Sequence, residues 1–328
     1  MILVTGAAGH IGNVLVRELV KDKKKVRALV LPGEDISSLD GLDIEIVEGN
    51  VLDREAIDRA VDGVEKVFHL AGVISIMPGK NEWMRRVNVE GTKNVLAAAQ
   101  SAGVRRFVYT SSIHALSRNW IGKINEEVPF DPNSPAGGYD RTKAEASIAV
   151  LEAVQNGLDA VIVCPTGVIG PHDYRGSEMG DLILDWLVRR FNFLVRGEYD
   201  FVDVRDVAHG HILASEKGKT GEVYILSGMQ IKVLELKKLV QDVLGKRIPT
   251  ITVPMWAAKI GAAVSPLYYR LAKKRPRFTK YSLETLESNS DISCRKAKRD
   301  LGYKPRSLVQ TVKDTVEWLL KARAKQGI

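Results

Sequence analysis

Ile2-Leu3-Val4-Thr5-Gly6-Ala7-Ala8-Gly9-His10-Ile11-Gly12 opens the chain as an apolar run that breaks into three glycines spaced three apart. The apolar start reads as a strand over Ile2–Thr5, and the amphipathic stretch Ile11–Lys21 behind the glycines reads as a helix. A glycine turn between strand and helix lets backbone come close to a pyrophosphate, whose charge the helix N-terminus favours. Gly6 supplies the turn, Gly9 lets a phosphate approach, and Gly12 permits tight packing of helix on strand. Ala8, His10 and Ile11 complete that cradle. The spacing is G-x-x-G-x-x-G rather than G-x-G-x-x-G. A bare glycine triplet is often only a turn, but its position between an apolar strand and an amphipathic helix favours dinucleotide binding.

Outward from this loop, short apolar runs alternate with helical patterns. Strands are expected at Val26–Leu31, Asp43–Glu48, Lys66–Leu70, Arg106–Thr110 and Ala160–Cys164, with helices at Arg54–Val61, Trp83–Ala102 and Tyr139–Asn156. Strands alternating with helices make a doubly wound α/β fold on a parallel sheet, with ligands beyond the carboxyl ends of the strands. This dinucleotide-binding domain is assigned to residues 1–170, with a segment near 199–226 returning to it. Residues 171–328 form a smaller, mainly substrate-binding α+β region. Regularity weakens there, and the shorter pieces expected are Met179–Arg190, Tyr199–Val202, Val207–Glu216, Glu222–Leu226, Val233–Leu244 and a closing helix Leu308–Ala324.

Composition excludes several classes. Of 328 residues, 45% are hydrophobic and 27% charged, which is ordinary for a soluble globular protein of one large or two modest domains. Cys164 and Cys294 lack metal-ligand spacing, so neither a disulfide framework nor a metal site is expected, and a reducing cytoplasm fits. His209 and His211 stand two apart on a helical pattern and do not share a face. The first strand begins at once, without a leader pattern. Residues 248–272 are the longest apolar region, but Lys259 and three prolines break it, which argues against a spanning helix. The net charge of +8 is partly local, because Arg270, Lys273, Lys274, Arg275, Arg277 and Lys280 occur without an intervening acid. No nucleic-acid module accompanies them. Because they follow Trp256, Tyr268 and Tyr269, an anionic membrane surface fits residues 248–280 better, against the bland reading of a solvated face.

Tyr139-Asp140-Arg141-Thr142-Lys143 places a phenol and an ammonium four apart, on one helix face. The cation is expected to lower the tyrosine pKa from its ordinary ~10 toward neutral, as a general acid requires. Alone the pair means little. Thr5-Gly6-Ala7-Ala8-Gly9-His10-Ile11-Gly12, His69-Leu70-Ala71-Gly72, Asn88-Val89-Glu90-Gly91-Thr92, Tyr109-Thr110-Ser111-Ser112 and Tyr139-x-x-x-Lys143 follow one another in order. Their order and spacing resemble the extended short-chain dehydrogenase/reductase family over nearly the whole chain. Asp291–Ala297 with Leu301-Gly302-Tyr303-Lys304-Pro305 looks like that family's closing motif.

The resemblance implies a Rossmann fold, an NAD(P) cofactor and catalysis by Ser112, Tyr139 and Lys143, with Ser111 as the fallback hydroxyl. It puts Asn50 and Val51 near the adenine, although the family usually has Asp in place of Asn50. Leu70, Ala71 and Gly72 would line the nicotinamide-side ribose, and Pro165, Thr166 and Val168 belong to the same cofactor set. The second strand ends without an acid, which leans toward NADP, with Arg27, Ser37 or Ser38 as phosphate contacts; against it, Leu31 stands where relatives that prefer the phosphate often have Arg, and Glu34 and Asp35 follow closely. Tyr139 would exchange a proton with the substrate oxygen while hydride passes to or from the nicotinamide. Thr110–His114 lacks the Asp-Glu pair of the sugar-nucleotide dehydratases. The resemblance is nearer to the dihydroflavonol-reductase and 3β-hydroxysteroid-dehydrogenase branches, so a hydrophobic alcohol or ketone is the expected substrate. His114, His172, Trp186 and the segment around Trp256 are the candidate substrate contacts. The alternatives are a sugar-nucleotide 4-epimerase with tightly held NAD and a non-catalytic nucleotide binder. The family also implies a homodimer paired through the helices at Trp83–Ala102 and Tyr139–Asn156.

Overall fold

The computed structural model describes residues 1–74, 81–262 and 280–326. β1 (Ile2–Thr5) runs into the glycine turn, and α1 (His10–Lys21) follows it. Next come β2 (Val26–Val30), β3 (Glu45–Glu48), α2 (Arg54–Val61) and β4 (Lys66–His69). A helical path then has three parts: α3 (Asn81–Arg85), a π turn over Arg86–Glu90, and α4 (Gly91–Ser101). β5 (Arg106–Thr110), α5 (Gly138–Gln155) and β6 (Ala160–Pro165) continue the alternation.

Beyond them lie β7 (Gly167–Ile169), α6 (Glu178–Val188), β8 (Asn192–Val195), β9 (Glu198–Asp203), α7 (Val204–Lys217) and β10 (Val223–Leu226). The chain closes with β11 (Met229–Lys232), α8 (Val233–Leu244), β12 (Thr250–Val253), α9 (residues 255–262), α10 (Lys280–Glu287) and α11 (Leu308–Gln326).

Seven parallel strands make the central sheet, in the order β10-β6-β5-β4-β1-β2-β3. The chain winds outward from β1 in one direction and then, from β4, in the other, leaving a crevice beyond the carboxyl ends of β1 and β4. Both faces of the sheet are buried, as continuous apolar runs require. Leu3, Val67, Phe107 and Ile162 join one core beneath α2, α4 and α5. Their neighbours Val4, Phe68, Val108 and Val163 join the other, beneath α1 and α7. A three-stranded sheet, β11-β9-β7, and a two-stranded one, β12-β8, stand apart from the central sheet.

The last stretch of chain is tied back to the middle. Arg306 donates from its backbone to Asp206 Oδ2 at 2.7 Å and from its guanidinium to Oδ1 at 2.9 Å.

Boundaries differ from the sequence reading by one or two residues at most elements, the usual fraying of ends. Two differences are larger. The expected helix Trp83–Ala102 contains the π turn, in which the Gly91 amide reaches back to the Arg86 carbonyl. Glycine at 91 is needed there, because a Cβ would stand 2.6 Å from Val51 Cγ2. The strands β7, β8, β11 and β12 went unread because three or four residues carry too little periodicity. Tyr268, Tyr269 and most of the basic run lie outside the described residues. Among those residues no helix is long and apolar enough to cross a membrane.

Candidate active site

The glycine turn is closed to side chains. A Cβ at Gly12 would stand 2.1 Å from the Gly6 carbonyl oxygen, and one at Gly6, where φ is +67°, would stand 2.8 Å from the Ala71 nitrogen. Asn13 pins the loop from inside, with Nδ2 donating to the carbonyls of Gly9 at 2.8 Å, His10 at 3.1 Å and His172 at 3.1 Å. Its Oδ1 is buried without a hydrogen-bond partner among the described residues. A backbone cradle at a helix N-terminus, held open by glycine, fits the phosphates of a dinucleotide. The His10 ring turns away from it and donates to the Pro171 carbonyl at 3.0 Å.

Between β1 and β4 a chain of hydrogen bonds fixes the floor of the crevice. Ala71 N–H donates to Thr5 Oγ1 at 3.1 Å, and Thr5 Oγ1 meets His69 Nδ1 at 2.7 Å. His69 Nε2 meets Thr92 Oγ1 at 3.0 Å, and Thr92 donates to the Asn88 carbonyl at 2.6 Å. The Thr92 hydroxyl proton is therefore engaged, so Nε2 carries the ring proton and Nδ1 accepts from Thr5. Burial, reinforced by the Lys143 charge, pushes His69 down to about 3 and keeps it neutral. Asn88, in the π turn, clasps Val73 through both its backbone N–H (2.7 Å) and its carbonyl (3.0 Å). The segment Leu70–Gly72 is thus held from both sides, and π turns recur at such sites.

At the end of β5 the two adjacent serines have different surroundings. Ser111 Oγ lies 2.7 Å from Ser147 Oγ, whose own proton goes to the Lys143 carbonyl, so Ser111 ties β5 to α5. Ser112 caps a short 3₁₀ turn, accepting from the His114 amide at 3.2 Å, and it lies close enough to the Tyr139 phenol to pull that group's pKa down against burial. The structure therefore brings Ser112, not Ser111, to Tyr139.

Lys143 Nζ donates to the Thr110 carbonyl at 2.6 Å and to Tyr109 Oη at 3.3 Å, and burial pushes it down to about 8. A Cβ on Gly72 would lie 3.8 Å from the same nitrogen, so the ammonium faces the segment after β4. The expected lowering of the Tyr139 pKa is not produced by the protein groups. Burial pushes the phenol up to about 12, against the opposing pull of Ser112, because the ammonium is turned to Thr110 and Tyr109. Tyr139 is protonated at neutral pH.

Around Tyr139 stands a buried network that the sequence did not disclose. Arg118 Nε donates to Asp140 Oδ2 at 2.9 Å, and Tyr281 Oη donates to Oδ1 at 2.7 Å. The Arg118 guanidinium also lies 5.3 Å from the Tyr281 ring centre and donates to His114 Nδ1 at 3.0 Å. With Nδ1 accepting, His114 Nε2 donates to Tyr199 Oη at 2.8 Å. Both ring nitrogens of His114, an expected substrate contact, are engaged within the protein, and burial holds it neutral at about 3. His172 lies beside the cofactor loop, stacked with Tyr174 and against Trp318, with φ at +66°. It does not join the Ser112–Tyr139 group. Trp186 is buried in the core.

The remaining cofactor residues divide similarly. Asn50 Oδ1 accepts from the Leu52 amide at 2.9 Å, and Val51 is buried beneath Gly91. Pro165 ends β6 opposite Leu226, and Val168 lies on β7. Arg27, an expected phosphate contact, is bound to Glu45 at 2.9 Å and to the Ala60 and Asp62 carbonyls. Ser38 donates to the Ala8 carbonyl at 3.2 Å. Beyond the end of β2, Glu34 accepts from the Leu31 amide at 3.0 Å and pairs with Arg175 at 2.7 Å.

Thr166 donates to Asp200 Oδ1 at 2.6 Å, and the Gly228 amide donates to the same oxygen at 2.9 Å. Burial pushes Asp200 from 3.8 up to about 6. The folded state holds this proton more tightly than the unfolded chain, so the contribution is complete below pH 3.8 and is lost as pH rises through about 6. The shift corresponds to about 3 kcal/mol. Asp200→Asn keeps an acceptor for both bonds and removes the ionisation. Thermal unfolding followed against pH is expected to show the variant several degrees more stable above pH ~7, with the difference vanishing near pH ~4.

The sequence profile of the NAD dependent epimerase/dehydratase family matches residues 2–227. Sterol demethylase protein B of Methylococcus capsulatus is 37% identical over 318 residues, covering 96% of this chain and 97% of its own. A putative dihydroflavonol 4-reductase of Synechocystis is 33% identical, covering 96% of this chain and 93% of its own. Among solved structures, the UDP-glucose 4-epimerase of Thermotoga maritima with UDP-glucose superposes with a TM-score of 0.80 at 25% identity, covering 98% of this chain and 99% of that one.

Proposed function

The chain belongs to the NAD dependent epimerase/dehydratase family, and from that membership we propose that it moves hydride between NAD(P) and a hydrophobic secondary alcohol or ketone of steroid-like or flavonoid-like shape. The observation that supports this reading is the placing of Ser112 beside the Tyr139 phenol just after β5, with the Lys143 ammonium facing Gly72. The substrate class draws support from the names of the two curated relatives.

When bound, the coenzyme supplies or takes the hydride. Gly6, Gly9 and Gly12 with the α1 N-terminus hold its phosphates, and Leu70–Gly72 with Lys143 hold the nicotinamide-side ribose. Tyr139, protonated on its own, donates its proton to the carbonyl oxygen during reduction and takes it back in the reverse direction. Ser112 donates to the same oxygen and stabilises the charge that develops there. Residues after 170 shape the substrate pocket, and two copies pair through α3–α4 and α5.

The similarity to a sugar-nucleotide epimerase supports one other reading, in which NAD is retained and regenerated in each cycle. A panel of sterol, flavonoid-like, aliphatic and sugar-nucleotide substrates, run with NAD and NADP in both redox states, tests the proposal. Net change in nicotinamide absorbance with a steroid or flavonoid is the expected result. Epimerised sugar nucleotide with no net absorbance change, from protein that purifies with NAD bound, would overturn it.

A further inference from the structure

Away from the crevice, the parallel ribbon of β8 and β12 sets Phe193 opposite Ile251 and Val195 opposite Val253. Residues two apart on a strand share a face, so these four side chains point the same way. α9 packs over the later half of that face, where Ala258 and Ala262 meet Val195 and Val253. The earlier half is uncovered. Phe193 and Ile251 are each about half exposed, and Phe191, equally exposed, meets Phe193 edge-on with ring centres 5.6 Å apart. On α9, Trp256 is 68% and Ile260 60% exposed, and a spacing of four puts them on one helix face. Apolar residues scattered singly over a surface need no explanation, whereas an adjoining exposed group such as Phe191, Phe193 and Ile251 does.

The charges near these side chains indicate what covers them. Asn192 N–H donates to the Pro249 carbonyl at 3.0 Å, which fixes the ribbon's register at its start. The segments that lead into the two strands carry Arg189-Arg190 before β8 and Lys246-Arg247 before β12, and all four are exposed. Arg189 keeps an ion pair with Asp185 at 3.3 Å, and Asp242 is exposed at the end of α8, so the cluster stays net positive. A second copy docked here about a two-fold axis would set these cations against their own images. Exposed Phe, Ile and Trp side chains near a group of cations match the boundary between headgroups and acyl chains.

We propose that this face docks on an anionic lipid bilayer. The aromatic and aliphatic side chains enter the interfacial layer, and Arg190, Lys246 and Arg247 lie among the headgroups. The protein rests on the membrane surface through the ribbon and α9.

Flotation of the full chain with vesicles tests this without any substrate. Vesicles of phosphatidylcholine with phosphatidylglycerol are expected to carry the protein up the gradient, vesicles of phosphatidylcholine alone to carry much less, and added salt to weaken the association. Tryptophan emission is expected to move to shorter wavelength on binding, and Trp256→Phe to remove most of that shift. Phe193→Ser with Trp256→Ser is expected to lower binding roughly tenfold or more with unchanged circular dichroism. Arg190→Glu with Arg247→Glu is expected to remove the dependence on phosphatidylglycerol. Failure of the wild-type chain to associate with the anionic vesicles would overturn the proposal. So would undiminished association of the Phe193→Ser/Trp256→Ser protein, or patch variants that turn a dimer into monomers while vesicle binding persists.

Discussion

Tyr139→Phe is expected to lower turnover by about 10²–10⁴-fold on the substrate that the coenzyme panel identifies, while coenzyme affinity changes little. The ring would still fill its place at the start of α5, and the glycine cradle, His69 and Lys143 would be untouched. What disappears is the phenolic hydroxyl beside Ser112, with the proton proposed for the substrate oxygen. Initial rates measured beside a coenzyme titration by fluorescence separate the two effects. Near-normal turnover in this variant would assign the proton to another group. Because burial pushes the phenol up to about 12, the oxidative reaction, which needs phenolate, is expected to speed up as pH rises, whereas reduction is not limited by deprotonation.

Arg118→Met is expected to destabilise the protein by about 3–5 kcal/mol at neutral pH. Asp140 is fully buried, and Arg118 is the cation it pairs with at 2.9 Å. Removal of the guanidinium takes away that cation and leaves the carboxylate with the Tyr281 hydroxyl and its own backbone amide. Burial already pushes Asp140 above the ordinary carboxylate range, and the Arg118 charge is the largest opposing influence. In the variant the folded-state value rises further above that of the unfolded chain. Its contribution is then fullest in acid, below the unfolded value, and is lost as pH rises through the folded one, so the deficit should shrink on acidification. Urea unfolding at several pH values measures it. Asp140→Asn added to Arg118→Met should recover most of the loss, because it removes the stranded charge. If the single variant is as stable as the parent at neutral pH, the network around Tyr139 is not held by this pair.

The nucleotide-binding half was legible because its strands, buried on both faces, are unbroken apolar runs separated by helices of ordinary length. The π turn was not, since one extra residue in a helix barely disturbs a 3.6-residue period. That Tyr139 and Lys143 share a helix face followed from their spacing, whereas Ser112 came from the family resemblance. The surroundings of these residues followed from neither. Asp140 takes its partners from 22 residues upstream and 141 residues downstream, and no local pattern links those positions. Histidines invited a substrate role by type alone, yet His114 has both nitrogens engaged by Arg118 and Tyr199. The lean toward NADP rested on a missing acid at the end of β2, with Glu34 close behind weighing against it. Folding brings Glu34 back to the Leu31 amide and commits Arg27 to Glu45, which removes that ground, and the coenzyme panel decides the preference.

β10 pairs with β6 at one edge of the central sheet, and Arg306 grips Asp206 on the helix just before β10. A ribosome releasing this chain from its N-terminus has therefore emitted the whole glycine loop, and most of the strands behind it, long before the residue that fastens α7 emerges. Until then α7 lies against the sheet without that clasp, a loosened state in which aggregation competes with folding. Expression yield is consequently expected to respond to loss of the final twenty-odd residues far more sharply than their distance from the chemistry would suggest.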